Sequence, residues 1–197
     1  MKAENTPRLE TDRLLLRKFS DSDLDAILSI FGDREVNTYL PWFPLRSLEE
    51  AKIFFEERYA QEYSRSTGYR YAVCLKAENI PIGYVNLNTD ESHDLGYGLL
   101  KEFWGQGIIT EACRAVLAQA KEDGIPNITP THDVKTPRSG SVMQKLGMRY
   151  QYSYEEQWQP KNQLVTFRMY QLNFDHDPNR VFRRYWNTYP VHFVEEI

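Results

Sequence analysis

The sequence lacks several features that define common protein classes. It has only two cysteines, Cys74 and Cys113, so it offers no disulfide framework, and both are expected to be small buried side chains. No apolar run approaches the roughly 18 residues that a membrane span requires, and no apolar stretch follows a basic start as in a signal peptide. We therefore expect a cytoplasmic protein with no membrane partner.

Basic residues are also few, since 24 Lys and Arg stand against 28 Asp and Glu, for a net charge of −4. Because nucleic-acid-binding surfaces normally show a basic excess, no nucleic-acid partner is expected. Repeats and low-complexity tracts are absent, and no metal site is predicted. A chain of 197 residues with 41% hydrophobic content can bury one good core, which predicts a single main domain.

One stretch of the sequence, Leu95–Ala112, begins as an apolar strand, passes through a Gly-x-Gly turn and continues as a helix. Gly105 and Gly107 carry no Cβ, so the backbone there can adopt positive φ and approach a ligand closely. The first turn of a helix has unpaired N–H groups and a partial positive charge. The stretch predicts a site for a pyrophosphate, and the alternative of a tight strand-to-helix connection stays open.

Two better-known phosphate loops are absent. The sequence contains no Gly-x-x-x-x-Gly-Lys-Ser/Thr, and Thr110 stands where Gly-x-Gly-x-x-Gly would have its third glycine. A second motif lies downstream in Thr136–Met148, where a short helix from about Ser139 is expected to end on Gly147.

Taken together, the two stretches resemble the GNAT N-acetyltransferase family. Its pattern is Q/R-x-x-G-x-G/A at the start of one helix and N-x-x-S-x-x-V-x-x-K-L-G-F on the next. The run Leu9–Arg17 is similar to the first strand of the ribosomal-protein N-terminal acetyltransferase branch. The resemblance spans about residues 8–174 and is specific for fold and cofactor, but poorly specific for the acceptor.

The resemblance implies an α/β (α+β) GNAT fold, with a mixed, mostly antiparallel central sheet of about seven strands flanked by helices. It also implies direct transfer of an acetyl group from acetyl-CoA to a primary amine, with a peptide or protein N-terminal amine weakly favoured. A polyamine, an amino acid or an antibiotic amine is an alternative acceptor. A catalytically inert acyl-CoA-binding protein and an assembly module are alternative functions.

The expected coenzyme site combines peptide N–H groups of the strand and the glycine loop with polar groups of the second motif. It comprises Leu99, Leu100, Gly105, Gln106, Gly107, Ile108, Ile109, Thr110, Thr136 and Ser139. Two of these depart from the family pattern. Ile109 replaces a small residue and is expected to crowd the pyrophosphate, and Thr136 replaces an Asn that contacts the pantetheine arm.

Acetyl transfer requires a neutral amine, so a base is needed. The pKa of an α-amine, about 8, lies one unit above pH 7, and the pKa of a lysine, about 10.4, lies more than three units above it. Both amines are therefore mostly protonated at pH 7. Asp94 is predicted to be this base, with Glu91 and His93 close by. Many family members place a Tyr four residues after the motif Ser as the acid for the thiolate, but Met143 occupies that position. Ser139 is therefore predicted to be the acid or orienting donor, and a simple N-cap role is its alternative.

The acceptor pocket is expected in the aromatic segment Asp33–Arg46. Its predicted substrate-binding residues are Tyr39, Trp42 and Phe43, together with Tyr97 on the strand before the glycine loop. A strand is also predicted over Ile125–Val134, although Pro126 and Pro130 are unfavourable inside a central strand.

The chain is divided into a GNAT domain over residues 1–174 and an aromatic C-terminal extension over 175–197. The extension is too rich in aromatic residues for a disordered end. It is expected to form a helix over about residues 178–188 that packs on the domain or on a second subunit. Monomer and homodimer both stay open.

Overall fold

The structure is a computed structural model that describes residues 4–177 and 179–197. The helices are α1 (Leu24–Gly32), α2 (Leu48–Phe55), α3 (Gln61–Tyr63), α4 (Ile108–Glu122), α5 (Pro137–Lys145) and α6 (Arg184–Thr188). The strands are β1 (Leu9–Glu10), β2 (Leu14–Arg17), β3 (Tyr69–Leu75), β4 (Pro81–Leu87), β5 (Leu95–Leu99), β6 (Asn127–Ile128), β7 (Thr131–Asp133), β8 (Arg149–Trp158), β9 (Gln163–Asn173) and β10 (His192–Phe193). Pro178, the expected start of the C-terminal helix, lies outside the described residues.

The strands form two five-stranded sheets where one central sheet of about seven strands was expected. The first has the order β1-β2-β3-β4-β5. In the second, β10 pairs with β8, β8 pairs with β9, and β9 pairs with both β6 and β7. The predicted strand Ile125–Val134 is broken into β6 and β7. Proline has no N–H to donate to a ladder, so Pro126 and Pro130 confine the paired segments to two and three residues.

The two sheets meet at one end of β5 and separate towards the other. The Thr129 N–H donates to the His93 carbonyl over 3.3 Å, and the Thr129 hydroxyl donates to the Ser92 carbonyl. From Leu95 to Leu99 no backbone hydrogen bond joins β5 to the second sheet among the described residues. A wedge-shaped crevice therefore opens from Asp94 towards Leu99.

Apolar side chains bury both faces of the first sheet. One face packs on α4 and α5 through residues such as Val85 and Val116, and the other packs on α1 and α2 through residues such as Phe31 and Tyr84. Burial of this apolar area is the main term that holds the helices on the sheet. Side chains on one face of β5 therefore face α4 and α5, and side chains on its other face are directed towards α1 and α2.

The predicted helix boundaries follow from local signals. Ser20 forms a capping box with Asp23, and the Ser47 hydroxyl accepts the Glu50 N–H at 3.2 Å. Gly124 and Gly147 follow α4 and α5 with φ of 87° and 83°, which a side chain would disfavour. No described helix has the length and apolarity to cross a membrane.

The C-terminal segment packs on the second sheet of the same chain. It adds β10 to the edge of β8, a strand that the sequence did not predict, and its helix is limited to α6. The Tyr154 ring of β8 is stacked between Tyr185 at 5.0 Å and Tyr189 at 4.9 Å. We name residues 182–189 the tail wall, because they cover the Tyr152 and Tyr154 face of the second sheet.

Candidate active site

The glycine loop presents a row of free peptide N–H groups. Gly105 and Gly107 have φ of 78° and 74°, and Gly107 is the N-cap of α4 without any side-chain cap. Among the described residues, no backbone carbonyl accepts a hydrogen bond from the amides of residues 105–110. Space for a ligand is present, since a Cβ built on Gly105 would meet nothing within 4 Å. These donors, at the positive end of a 15-residue helix, fit a pyrophosphate.

A carboxylate in the first turn of α4 is turned away from this loop. Both oxygens of Glu111 are occupied: Oε1 accepts the Thr11 hydroxyl at 2.5 Å, and Oε2 accepts the Arg13 guanidinium at 2.6 and 2.7 Å. Burial alone would raise the pKa of Glu111, but the bonds from Thr11 and Arg13 lower it below its ordinary value. Arg13 also donates to the Gln106 carbonyl at 3.1 Å, which fixes the loop. This link was not predicted from the sequence.

Removing the Glu111 carboxylate is expected to loosen the loop and the β1–β2 turn together. Glu111→Ala should lower the free energy of unfolding by about 1–3 kcal/mol, because three donors lose their charged acceptor. Urea unfolding followed by tryptophan fluorescence measures this loss. Glu122→Ala, at an exposed position of the same helix, is the control. Equal stability of the two variants would contradict the anchoring role.

A basic cavity adjoins the loop. It has a volume of about 630 Å³, and its lining includes Arg13, Gly107, Arg114 and Lys145. The lining also holds two carboxylates, Asp12 and Glu111; Glu111 is paired with Arg13, and the cations exceed the carboxylates by one. The cavity therefore continues the anion site beyond the loop, towards the C-terminal end of α5.

Leu99 and Leu100, the strand residues predicted to bind the coenzyme, differ in whether their backbone N–H group is free. The Leu100 N–H donates to the Ile82 carbonyl at 2.9 Å, so it is already used within the first sheet. By alternation the N–H and C=O of Leu99 point the other way, into the crevice. The Leu99 carbonyl accepts the Trp104 indole N–H at 2.8 Å, which leaves the Leu99 N–H as the donor on this side.

The second motif lies across the crevice from β5. The Tyr97 hydroxyl donates to the Ser139 carbonyl at 2.8 Å, so Tyr97 joins β5 to α5 and lies on the α4 and α5 side of the sheet. Ser139 is half-buried. The Thr136 hydroxyl donates to the Asp133 carbonyl at 2.8 Å, so it stabilises the turn before α5 and makes no side-chain cap.

Two departures from the family pattern have structural explanations. Met143 is 1% exposed and belongs to the main core, so the side chain at this position has an apolar packing role. Ile109 is half-buried and packs against the same core. Its side chain is thus directed inward, and the residue still contributes its backbone N–H to the loop.

Asp94 lies at the closed end of the crevice. Burial raises the pKa of its carboxyl to about 6, with a smaller upward effect of Asp90, while Arg70 and the N–H groups of Thr131 and Leu95 act in the opposite direction. Its side chain is nevertheless partly exposed. A carboxylate in such surroundings that stays accessible is suited to accept protons near neutral pH. His93, the neighbouring alternative, has its pKa lowered by burial.

A polar strip crosses the first sheet on the face that carries Asp94. Arg70, Asn86 and Gly96 are paired across β3, β4 and β5, and side chains at paired positions share a face. A Cβ on Gly96 would meet nothing within 4 Å, so the floor is open there. The Asn86 Oδ1 is buried and has no partner among the described residues. This strip borders the Asp94 end of the crevice on the face of the sheet opposite α5.

The aromatic segment predicted to bind the acceptor lies on the same face. Trp42 packs against Phe31 and Tyr84 and donates its indole N–H to Asn37 at 2.8 Å, so it is a fixed wall. Tyr39 and Phe43 are 38% and 59% exposed. Lys161 of the β8–β9 hairpin donates to the Asn37 and Thr38 carbonyls at 2.7 and 2.9 Å, which ties this segment to the second sheet.

The sequence profile of the acetyltransferase (GNAT) domain family matches residues 13–149. The chain is a GNAT acetyltransferase. It is therefore an acyltransferase that uses acetyl-CoA, and the free amides of the glycine loop fit the pyrophosphate of this coenzyme. The expected GNAT fold is confirmed, with the sheet divided as described above.

Relatives and solved structures agree with this assignment. The chain is 27% identical over 159 residues to the uncharacterized N-acetyltransferase YoaA of Bacillus subtilis (strain 168), covering 76% of this chain and 89% of YoaA. A GNAT-family acetyltransferase from Bacillus anthracis has the same fold, with a TM-score of 0.75 and 23% identity over 86% of this chain and all of that chain. RimL, a ribosomal L7/L12 α-N-protein acetyltransferase solved with coenzyme A, gives a TM-score of 0.75 and 19% identity over 87% of this chain and all of that chain.

Proposed function

We propose that this GNAT enzyme acetylates the α-amine of a peptide or protein N-terminus, with Asp94 as the base. The observation that carries the proposal is the position of Asp94, a partly exposed carboxyl at the end of the crevice where the two sheets meet, where burial raises its pKa to about 6. An α-amine near pKa 8 lies about two units above this base, whereas a lysine amine near 10.4 lies more than four above it. The similarity in fold to RimL, whose acceptor is a protein α-amine, supports the same class.

The roles of this chain's residues follow from their positions. Acetyl-CoA supplies the thioester carbonyl that the neutral amine attacks. The amides of residues 105–110 hold the pyrophosphate, and the Leu99 N–H lies inside the crevice as a donor. Asp94 accepts the proton of the amine, directly or through one water, at the end of the crevice where the two sheets meet. No covalent enzyme intermediate is required.

Ser139 is proposed to donate to the departing thiolate. It is half-buried on the α5 side of the crevice, and Tyr97 holds the Ser139 backbone in place. Met143 is buried in the core, and the hydroxyls of Thr136 and Ser141 donate to the carbonyls of Asp133 and Pro137, so Ser139 is the candidate donor of the second motif. A neutral donor of this kind stabilises a developing anion and affects turnover more than coenzyme affinity.

The acceptor class is tested with a matched set of amines. Release of free thiol from acetyl-CoA is measured with three acceptors. The first is a peptide with a free N-terminus and no lysine, the second is an N-acetylated peptide whose amine is a lysine side chain, and the third is an aminoglycoside. We expect the free N-terminus to be the best substrate. Preference for the lysine amine or the antibiotic amine would replace the proposal with one of the alternative acceptors.

Ser139→Ala is expected to reduce kcat by about 10- to 100-fold with little change in acetyl-CoA affinity, as for loss of one transition-state donor. Steady-state kinetics and calorimetry measure the two quantities. Ser141→Ala is the matched control, because that exposed hydroxyl donates to the Pro137 carbonyl at 3.1 Å within the same helix. Unchanged turnover in Ser139→Ala would leave this hydroxyl with a structural role only.

A further inference from the structure

Thr129 joins the two sheets at the closed end of the crevice. It lies between β6 and β7 and is fully buried, with an exposure of 0%. Its N–H donates to the His93 carbonyl at 3.3 Å, and its hydroxyl donates to the Ser92 carbonyl. These two acceptors directly precede Asp94 in the chain. Thr129 therefore holds the loop from which the proposed base extends.

The local sequence explains why Thr129 reaches this loop. Pro130 follows it, and a residue before proline is restricted to extended backbone. Since Pro130 has no N–H for a ladder, the residues paired with β9 stop at Ile128 and resume at Thr131. Thr129 is thus free of pairing with β9, and its two donors are directed to the first sheet. The break in the predicted strand Ile125–Val134 creates this junction.

The segment that follows Thr129 reaches the base itself. The Thr131 N–H faces the Asp94 carboxylate and favours its ionised form. One short segment of the second sheet therefore holds the Ser92 and His93 carbonyls through Thr129 and meets the Asp94 carboxylate through Thr131. Loss of the Thr129 bonds would let the two sheets separate, and the Thr131 N–H would then move away from Asp94.

The loop is also held from other sides. Ser92 is 4% exposed, and its N–H and hydroxyl both donate to Asp90 Oδ1, at 3.1 and 2.5 Å. The Tyr185 hydroxyl of the tail wall faces Ser92. His93 has a φ of 41°, a left-handed conformation that is uncommon for a residue with a side chain. Such a conformation persists where the surrounding contacts impose it, and the bond from Thr129 to the His93 carbonyl is one of them.

We propose that Thr129 is a positioning residue for acetyl transfer, because its hydroxyl fixes the loop that presents Asp94 to the amine. This inference rests on the proposed function, which makes Asp94 the base. Thr129 is fully buried, so it contacts neither the amine nor the coenzyme and acts through the carbonyls of Ser92 and His93. A catalytic group displaced by a small distance loses much of its effect on rate.

Several other groups act on Asp94 and remain in place when Thr129 is substituted. The charged and titratable side chains that face it are Asp90 of the same loop, Arg70 of β3, Tyr97 of β5, Tyr154 of β8 and Tyr185 of α6. Displacement of the Asp90 charge would lower the pKa of Asp94, whereas loss of the Thr131 N–H would raise it. The direction of a change in this pKa therefore shows which contact has been lost.

The test compares two substitutions of Thr129. Thr129→Val removes the hydroxyl and keeps the branched shape, and Thr129→Ser keeps the hydroxyl. In Thr129→Val we expect kcat to fall by about 10- to 100-fold, with acetyl-CoA affinity in calorimetry unchanged. The pKa of Asp94, followed by NMR of its isotope-labelled carboxyl carbon, should rise by about 0.5–1 as the Thr131 N–H is displaced. Thr129→Ser should match the wild type in all three measurements.

Two further variants separate this effect from damage to the sheet. Thr166→Val removes a half-buried hydroxyl from β9 of the same sheet and should change neither kcat nor the pKa of Asp94. Thr129→Ala removes the same bond as Thr129→Val without placing a methyl group against the Ser92 carbonyl, so it supplies the measurements if Thr129→Val does not fold. Equal losses in Thr129→Ser, or an unchanged or lowered pKa of Asp94 in the variants without the hydroxyl, would overturn the inference.

The NMR titration does not depend on turnover, so it separates this inference from the proposed function. A raised pKa of Asp94 with unchanged turnover would support the hold of Thr129 on the loop and contradict Asp94 as the base. A loss of turnover with an unchanged pKa would contradict the positioning role and leave the assignment of the base intact.

Discussion

Replacing Gly107 by tryptophan is expected to abolish acetyl-CoA binding in a folded protein. Gly107 is the N-cap of α4 with φ of 74°, and its Cβ would face the Arg13 guanidinium at 3.8 Å, beside the free amides. An indole there fills the space that the pyrophosphate needs. The loss of two amide-to-phosphate bonds of about 1.5–3 kcal/mol each predicts at least about 100-fold weaker binding, measured by calorimetry.

The control for this variant is Gly124→Trp. Gly124 follows the other end of the same helix with φ of 87°, and a Cβ there would meet nothing within 4 Å. Both substitutions therefore impose a left-handed conformation on a bulky residue, which costs about 1–3 kcal/mol, but only Gly107 adjoins the loop. If the two variants bind acetyl-CoA equally well, the anion site has been placed wrongly.

Asp94→Asn is expected to reduce kcat by about 10²- to 10⁴-fold, the usual range for loss of a general base, with acetyl-CoA affinity retained.

The pH dependence of kcat/KM is a more diagnostic test of Asp94 as the base. Below pH 8 the neutral fraction of an α-amine falls tenfold per unit, so log kcat/KM should rise with a slope of one between pH 6 and 8. Below about pH 6 Asp94 is also protonated, and the wild-type slope should become two.

The variant is expected to keep a slope of one throughout. Asp90→Asn is a useful comparison, because the Asp90 charge raises the pKa of Asp94 and its removal should move the break to lower pH. Identical turnover of wild type and Asp94→Asn would show that another group accepts the proton.

The same substitution should stabilise the protein at neutral pH. The Asp94 carboxyl titrates at about pH 6 in the folded state and near 3.9 when unfolded, so its ionised form is disfavoured by folding. The penalty is absent below pH 4, grows between pH 4 and 6, and is complete above pH 6. Asparagine avoids it, and we expect a gain of about 1–2 kcal/mol at pH 8 and none at pH 4 in urea unfolding.

The parts of this structure that depend on neighbouring residues could be predicted from the sequence. The glycine loop, the Ser20 and Ser47 caps and the strand Tyr69–Leu75 are set by backbone sterics, side-chain caps and alternation within a few positions. The free amides of residues 105–110 were predictable for the same reason, since they are consecutive peptide groups at a helix start.

The parts that were missed depend on contacts between distant positions. Glu111 and Arg13 are 98 residues apart, and nothing local shows that this carboxylate is turned from the loop. The pairing of β10 with β8 is likewise a long-range choice, made by a two-residue strand with no pattern of its own.

The bonds from Thr11 and Arg13 to Glu111 and Gln106 join the N-terminal strands to the loop proposed to bind the pyrophosphate. By thermodynamic linkage, the order of the loop and the order of the β1–β2 turn are coupled. A ligand that orders the loop should therefore also make the β1–β2 turn open less often. Amide hydrogen exchange at residues 11–14 should therefore slow when coenzyme A is added, although the N–H groups of those residues are not among the proposed ligand contacts. We therefore expect residues 11–14 to report whether the coenzyme is bound.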